Sequence, residues 1–297
     1  MKTIRSLIYR NSKLFLKDKG LFFTSLITPL ILLLLYATFL WNVYEDSFML
    51  SIPPFLDIEQ SIIDGCVGGQ LMSSLLAVSC ITVSFCANML MVQDKANGTI
   101  ADIDVTPVKS SYVALGYYIA TFIVTFAINL VAMAACLIYI STIGWYFTAN
   151  DILMLVLDIF IMVMFGTALS SLINFFLNSQ GQISAVGTIV SSCYGFICGA
   201  YMPISQFSDG LQKVISFLPG TYGTVLFRNH AMRSALAELE TVGIPKEDIE
   251  QIKYTLDCNI DLLDNKVSEP AMFGIVIGTV VIVLTAYILL NKFKAFL

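Results

Sequence analysis

Six long runs of mostly apolar residues, separated by polar stretches, constrain this chain more than any other feature. A helix that crosses a bilayer needs about 20 apolar residues, and each run reaches that length. Charged residues make up 12% of the chain, against about 25% in soluble proteins. The sequence therefore predicts an all-α integral membrane protein with six transmembrane helices. The predicted spans are Leu21–Trp41, Cys66–Met91, Tyr112–Ile140, Ile152–Leu177, Gln182–Met202 and Ala271–Leu290.

The distribution of charged residues predicts the orientation of these spans. Basic residues mark the cytoplasmic side of a membrane protein. One predicted side carries ten basic residues and four acids, a net charge of +6. The other carries six basic residues and sixteen acids, a net charge of −10. Both termini lie on the basic side, as an even number of spans requires, so we expect both termini to be cytoplasmic.

The first 20 residues are predicted to form an amphipathic interface helix, ahead of a membrane domain over residues 21–297. Apolar residues at helical spacing share one face, and basic residues share the opposite face. The apolar set is Ile4, Leu7, Ile8, Leu14 and Phe15, and the basic set is Lys2, Arg10, Lys13 and Lys17. Such a helix lies in the inner headgroup region, near anionic lipid. Its role is open between a membrane anchor and a lever that touches a cytoplasmic partner.

The largest segment outside the predicted spans covers residues 203–270. Its apolar stretch Leu211–Leu218 is too short to cross a bilayer and is bracketed by Pro203 and Pro219. This pattern is typical of a re-entrant or interfacial helix. From Arg228 onwards the segment is rich in acids and contains a further helical pattern. We therefore predict a re-entrant hairpin followed by a small acidic extracellular cap.

The sequence contains no recognisable catalytic, cofactor or metal motif. A phosphate-binding loop ends in Gly-Lys and then Ser or Thr, and the chain has no Gly-Lys pair. The single histidine, His230, falls in the predicted cap, where we expect a surface or packing role. Most of the seven cysteines lie in apolar segments as small hydrophobes, and a disulfide between Cys66 and Cys258 is left open. We therefore expect no enzyme activity on this chain, and any ATP and Mg²⁺ would bind to a partner.

The loop between spans two and three, residues 92–111, contains a candidate docking helix. Ile100 and Ile103 share one side of this helix and Asp102 lies on another, while Pro107 ends it before span three begins. A short rigid helix at the membrane surface is suited to a groove in a partner protein. We expect the docking face to be the apolar one.

This loop resembles a hallmark of the ABC type-2 exporter permeases, the family of antibiotic or drug, polysaccharide and teichoic acid exporters. The shared pattern is an acid, then Gly-Thr, two spaced apolar residues, and Thr-Pro before another apolar residue. The matching residues are Asp94, Gly98, Thr99, Ile100, Ile103, Thr106, Pro107 and Val108. Ala96 and Ala101 replace acids that are common in the family, although Asp102 and Asp104 could substitute. The resemblance implies that the loop couples to an ATPase subunit.

A second stretch resembles the same family. The family pattern is Gly-x-x-x-Pro, then Pro-x-Thr-Tyr, then Arg. The corresponding residues are Gly199, Pro203, Pro219, Thr221, Tyr222 and Arg228. The resemblance implies a kinked outer end of span five and a re-entrant helical hairpin. It also implies two ABC ATPase subunits and a second permease chain, identical or homologous, as partners.

Span five carries small residues at every fourth position, which lets neighbouring helices approach closely. These residues are Gly187, Ser191, Gly195 and Gly199. The ridge is explained either by packing within the chain or by contact between two permease chains beside the transport pathway. The family resemblance favours the contact between chains.

Asp158 is the one carboxylate well inside a predicted span. Acids within the membrane are costly and often functional. Asp158 lies about two helical turns, roughly 10 Å, from the outer end of span four. A hydrated structural acid and a proton or substrate contact therefore both remain open for this residue.

Together these features predict the permease subunit of an ATP-driven ABC exporter in the bacterial plasma membrane. The predicted cargo is an amphiphilic compound, such as an antibiotic, a peptide or a lipid-like toxin. A lipid-linked glycan or teichoic acid precursor is the alternative cargo. The alternative class is an autonomous secondary transporter, although inverted repeats and broken-helix ion sites are not evident in the sequence.

Overall fold

The computed structural model describes residues 2–50, 58–197, 199, 201, 204, 207–263 and 265–294. Pro203 of the predicted hairpin lies outside these ranges. Within them the chain forms α-helices, one π-helical segment (Tyr36–Leu40) and one short strand pair. The helices are α1 (Lys2–Lys17), α2 (Lys19–Leu35), α3 (Trp41–Leu50), α4 (Gln60–Ala87), α5 (Met89–Ala96), α6 (Thr99–Asp104), α7 (Ser110–Ser141), α8 (Ala149–Phe175), α9 (Gln180–Ile197), α10 (Asp209–Ser216), α11 (Pro219–Thr241), α12 (Lys246–Thr255) and α13 (Glu269–Lys294). Strand β1 (Asp261–Leu262) pairs antiparallel with β2 (Asn265–Lys266).

The prediction of an all-α membrane protein is confirmed. Five helical stretches in the described part of the chain are long and apolar enough to cross a membrane. They are Lys19–Asp46, Gln60–Ala96, Ser110–Ser141, Ala149–Phe175 and Glu269–Phe293. The remaining predicted span, span five, corresponds to α9, which has 18 residues and begins with a polar turn containing Gln180 and Gln182. The count of six spans therefore stays a prediction.

Helix α4 forms the centre of the bundle and is buried on almost every side. Helices α2, α7, α8, α9 and α11 all pack on it. Glycines allow the closest contacts. A Cβ atom at Gly69 would lie 2.6 Å from the backbone oxygen of Ala231 in α11, and one at Gly166 in α8 would lie 2.9 Å from the backbone oxygen of Cys80. The backbones of three helices thus meet directly at the core.

Helix α1 lies along α7 as a separate amphipathic element. Its inward face includes Leu7 and the fully buried Phe15, as the sequence pattern predicts. A Cβ atom at Gly116 of α7 would lie 2.9 Å from the Cβ atom of Leu7. Leu14, which was assigned to the same apolar face, is instead exposed.

The predicted acidic cap is smaller than the sequence indicated. It was expected to begin at Arg228, but Arg228 lies in the middle of α11, a buried helix that packs against α4, α8 and α13. Only α12 and the β1–β2 pair remain as a cap. Cys66 and Cys258 are buried and free, so the disulfide that the sequence left open is not formed in this structure.

Candidate functional site

Helices α5 and α6, with the three residues that follow them, form a sharp turn that we call the α5–α6 elbow, residues 89–107. The turn is made at Gly98, whose φ of +78° is in the left-handed region. A Cβ atom there would meet nothing within 4 Å, so the glycine is explained by its backbone conformation. After α6, the Thr106 hydroxyl donates to the carbonyl of Ile103 at 2.5 Å. Pro107 then leads the chain away towards α7.

Asp94 anchors the elbow to two other helices. Asp94 is only 6% exposed, and its carboxylate accepts hydrogen bonds from Arg10 Nη1 at 2.8 Å and from the Tyr117 hydroxyl at 2.5 Å. Arg10 belongs to α1 and Tyr117 to α7. Hydrogen bonds that involve an ionised group are the stronger kind. The acid that the family pattern places here therefore faces the body of the protein.

Lys95 anchors the elbow to a third helix. Its ammonium group donates to the carbonyls of Asn174 at 2.9 Å, Phe175 at 2.7 Å and Leu177 at 3.2 Å. These carbonyls lie at the C-terminal end of α8, where the helix dipole favours a cation. Sequence reasoning counted Lys95 only as a cytoplasmic charge, because a partner about 80 residues away leaves no local signal.

A buried polar network joins the elbow to the bundle core. Asn88, between α4 and α5, donates to the hydroxyl oxygens of Ser170 at 3.1 Å and Ser171 at 3.0 Å. In return, Asn174 donates to the backbone carbonyl of Asn88 at 3.2 Å. All these side chains are buried. The joint between α4 and α5 is therefore fixed to α8 by side-chain hydrogen bonds.

The exposed surface of the elbow differs from the predicted docking face. Ile100 and Ile103 are half-buried and pack against a cluster that contains Val92 and Tyr117. The exposed residues lie instead at the turn around Gly98, on another side of α6, and just after α6. They are Ala96, Asn97, Gly98, Ala101, Asp102, Val105, Thr106 and Pro107. Val105 is 87% exposed, so its side chain is available for contact with a partner.

The small-residue ridge of α9 is mostly used within the chain. Gly195 is buried, and a Cβ atom there would overlap the ring of Tyr201. Gly199 has a φ of +73° and faces Ile204, and a Cβ atom at Gly187 would lie 3.4 Å from the side chain of Met89. These contacts support the packing explanation for three of the four ridge residues. Ser191 is half-buried and lines a groove described below.

Arg228 brings together the residues of the second family motif. It is fully buried and donates to Asp257 Oδ2 at 2.9 Å and to the carbonyl of Gly199. Asp257 also accepts from the backbone N–H of Ile204 at 2.7 Å. One guanidinium group thus connects α11 to the end of α9 and to the cap.

The remaining motif residues organise the start of α11. Pro219 occupies the first turn of the helix, where a missing N–H costs nothing. The Tyr222 hydroxyl donates to the carbonyl of Ser216 at 2.5 Å, at the end of α10. Helices α10 and α11 are therefore held together at their junction.

Asp158 has a buried partner that the sequence did not indicate. His230 Nδ1 lies 2.6 Å from Asp158 Oδ2, and both side chains are almost fully buried. Glu269, at the start of α13, lies 4.0 Å from His230 Nε2. Burial lowers the pKa of His230, but the hydrogen bond and charge of Asp158, with the charge of Glu269, raise it above the ordinary value. His230 is thus a partner for the intramembrane acid and not a surface residue.

A second acid of α8, Asp151, also connects this helix to α11. Asp151 accepts from the Ser234 hydroxyl at 2.5 Å and lies 2.5 Å from Arg233 Nη2. It also closes the capping box with Thr148 at the start of α8. Helices α8 and α11 are therefore joined by two acid–base pairs about two turns apart.

A large groove runs between α2 and α9, which both pack on α4. We call it the α2–α9 groove; its volume is about 680 Å³. One wall is formed by α2, the π-helical segment and α3, and the other by α9 and Tyr201. Residues that line it include Ile31, Leu35, Tyr36, Phe39, Ser192 and Phe196. Such a groove suits an apolar or amphiphilic molecule.

The apolar helices and the anchored elbow define a multi-pass helical membrane protein. Residues 2–231 match the family model described as ABC-2 type transporter. Because this match covers more than half of the chain, the protein belongs to the ABC-2 type transporter family. A search of curated proteins found no match. The matched region includes the elbow, the α2–α9 groove and Arg228.

We expect Asp94→Asn to loosen the elbow. The amide loses the ionic contact with Arg10, which is partly exposed, so the expected cost is about 1–2 kcal/mol. This corresponds to a fall of about 2–8 °C in Tm, measured by thermal unfolding in detergent. Asp102→Asn is the matched control, because Asp102 is exposed, and its Tm should not change. Equal Tm values for Asp94→Asn and wild type would show that the contact contributes nothing.

We expect Arg228→Leu to be severely destabilising. It leaves the buried Asp257 carboxylate without its cation, which costs about 3–5 kcal/mol. Adding Asp257→Asn removes the stranded charge, and asparagine tolerates the positive φ of position 257. Thermal unfolding of wild type, both single variants and the double variant measures the coupling. Additive losses in the double variant would mean that the two side chains do not interact.

Proposed function

We propose that this chain is the permease subunit of an ATP-driven ABC exporter that moves an amphiphilic compound out of the cell. The observation that supports this most strongly is the elbow, which is anchored to α1, α7 and α8 and presents an exposed edge at Val105. Membership of the ABC-2 type transporter family supports the same function. ATP binding is assigned to partner ATPase subunits, as is general in the ABC-2 type transporter family, and these 297 residues contain no phosphate-binding loop.

Coupling would run from the ATPase through the elbow to the bundle. A partner that binds at Val105 displaces α5 and α6, and Asp94 and Lys95 carry that displacement to α1, α7 and α8. The hydrogen bonds of Asn88 carry it into the core. Binding of ATP by the partner can shift the permease only if the partner binds the two conformations with different affinity. The anchors supply the physical connection that such a shift requires.

The α2–α9 groove supports an amphiphilic cargo. Its walls are apolar, and its volume of about 680 Å³ is within the usual range of roughly 300–1,000 Å³ for small-molecule sites. A second permease chain would face the same side of the molecule, where α9 exposes Ser184, Thr188 and Ser192. This exposed row replaces the glycine ridge as the proposed contact between chains. A lipid-linked glycan or teichoic acid precursor remains the alternative cargo.

An autonomous secondary transporter is the alternative class, and one observation favours it. Asp158, His230 and Glu269 form a row of ionisable groups from the buried core to a half-exposed side chain. Such rows carry protons in some transporters. The same contacts are also explained by the packing of α11 on α8. Transport that continues without ATP and stops when the proton gradient is dissipated would favour this alternative.

We expect Val105→Asp to uncouple the permease from its ATPase. A new carboxylate in the contact is desolvated without a partner, which costs several kcal/mol. The permease should insert and fold normally, because the side chain is exposed, but it should lose co-purification with the ATPase or cargo-stimulated ATP hydrolysis. The matched control is Val242→Asp, an exposed valine after α11, which should retain both. Normal co-purification, hydrolysis and transport by Val105→Asp would contradict the role of the elbow.

The proposed topology places both termini and the elbow in the cytoplasm and α12 outside the bacterial plasma membrane. Single cysteines introduced as Thr106→Cys and Glu247→Cys should therefore react with an impermeant maleimide from opposite sides. Both positions are exposed, and Cys193→Ser removes an exposed native thiol. Labelling of both positions from the same side of sealed vesicles would overturn the topology.

A further inference from the structure

One wall of the α2–α9 groove departs from regular helical geometry. Residues Tyr36–Leu40 are π-helical, and the backbone N–H of Trp41 donates to the carbonyl of Tyr36. Short π-helical turns inside α-helices occur frequently at functional sites. Three residues of this turn, Tyr36, Phe39 and Leu40, line the groove. The irregular turn and the groove therefore coincide.

Tyr36 in this wall has a hydroxyl group that is not hydrogen-bonded to the described part of the chain. Its side chain is 2% exposed, and its hydroxyl has no hydrogen-bond partner in the part of the chain that the structure describes. A buried hydroxyl without a partner costs free energy, and buried polar groups are rarely left unpaired. Tyr36 lines the groove and its hydroxyl lies just beneath the surface, so a bound molecule can supply the missing hydrogen bond when the side chains that cover the hydroxyl move aside.

The described lining of the groove contains no charged side chain. It consists of aliphatic, aromatic and hydroxyl-bearing residues. Arg228 has an electrostatic effect on Tyr36, but that guanidinium group is paired with Asp257 at 2.9 Å. Burying an unpaired charge costs far more than burying a neutral polar group that gains a hydrogen bond. The groove is therefore suited to an uncharged head group.

The rim of the groove is apolar as well. Phe39 is 64% exposed, Ile31 is 52% exposed and Phe196 is 51% exposed. Where a second permease chain leaves this side open, these side chains face hydrocarbon in a bilayer, so a chain-like molecule can enter from the side. We infer that the α2–α9 groove binds a neutral amphiphile with one hydrocarbon chain, whose uncharged polar head hydrogen-bonds to the Tyr36 hydroxyl. This inference rests on the proposed export function and narrows its cargo.

The test compares two probes that share one oleoyl chain. The probes are monooleoylglycerol, which is neutral, and oleoyl lysophosphatidic acid, which adds a phosphate; both carry bromine on the chain. Binding to the full chain in phosphatidylcholine nanodiscs is measured by saturable quenching of Trp41, next to the π-helical segment. Trp145→Phe leaves Trp41 as the only tryptophan. We expect the neutral probe to bind at least tenfold more tightly than the charged one.

The Tyr36→Phe variant tests the hydrogen bond. We expect the affinity for monooleoylglycerol to fall about 5–10-fold, as for the loss of one hydrogen bond. The Tm of the unliganded variant should stay the same or rise, because an unpaired hydroxyl is removed. Tyr112→Phe is the matched control: Tyr112 is 43% exposed at the start of α7, and both its affinity and its Tm should be unchanged.

Four results would overturn the inference. They are equal affinity for the two probes, unchanged affinity in Tyr36→Phe, a lower Tm in Tyr36→Phe, and exclusion of the neutral probe by a second chain. The last is tested by disulfide crosslinking of Ser192→Cys in a Cys193→Ser background. The proposed function is read separately, from co-purification of the ATPase. Probe binding without an ATPase partner would refute the export function and leave the site, whereas ATPase coupling without probe binding would refute the site alone.

Discussion

The direct contact of helix backbones at α4 is the constraint on which the rest of the structure depends. In a bilayer, lipid competes with side chains for apolar contacts, so close packing of helices contributes much of the stability. Gly69 allows α11 to reach the backbone of α4, and Gly166 allows α8 to do the same. Larger residues at either position would push these helices apart. The burial of one side of α11, including Arg228 and His230, follows from this packing.

A buried α11 requires partners for its basic side chains. Arg228 is paired with Asp257 of the cap, His230 with Asp158 and Arg233 with Asp151. Each basic residue therefore meets an acid from another element. Arg228 and His230 are buried, and an unpaired charge at either position would cost several kcal/mol, whereas Arg233 is 41% exposed. The pairs fix α11 to both α8 and the cap, which explains how a helix with two buried basic residues can occupy the core.

The long helices could be predicted because an apolar run of sufficient length has one stable structure in a bilayer. The elbow motif and Arg228 could be found because their spacing resembles that of a known family. The part of α11 from Arg228 onwards was assigned to the outer cap because its own residues are too polar for a span. The acids that neutralise Arg228 and His230 are 29 and 72 residues away, and no local pattern reveals such pairs.

The elbow and the glycine ridge also show that a local sequence pattern does not identify the partner of a helix face. Helical spacing correctly placed Ile100 and Ile103 on one face, but spacing does not say whether that face points to a partner or to the protein. Likewise, small residues at every fourth position indicate close packing without naming the neighbour. At Gly195 the neighbour is Tyr201 of the same chain. Tertiary packing decides which neighbour each helix face contacts.

Helix α8 is held at both ends by groups from different parts of the chain. At one end Lys95 binds its last carbonyls, and at the other Asp151 binds Ser234 and Arg233 of α11. With 27 residues it is about 40 Å long, and a helix of this length resists axial compression. It can therefore transmit an axial displacement as a rigid body. A displacement of one end moves the other end in the same direction, across the full thickness of a bilayer.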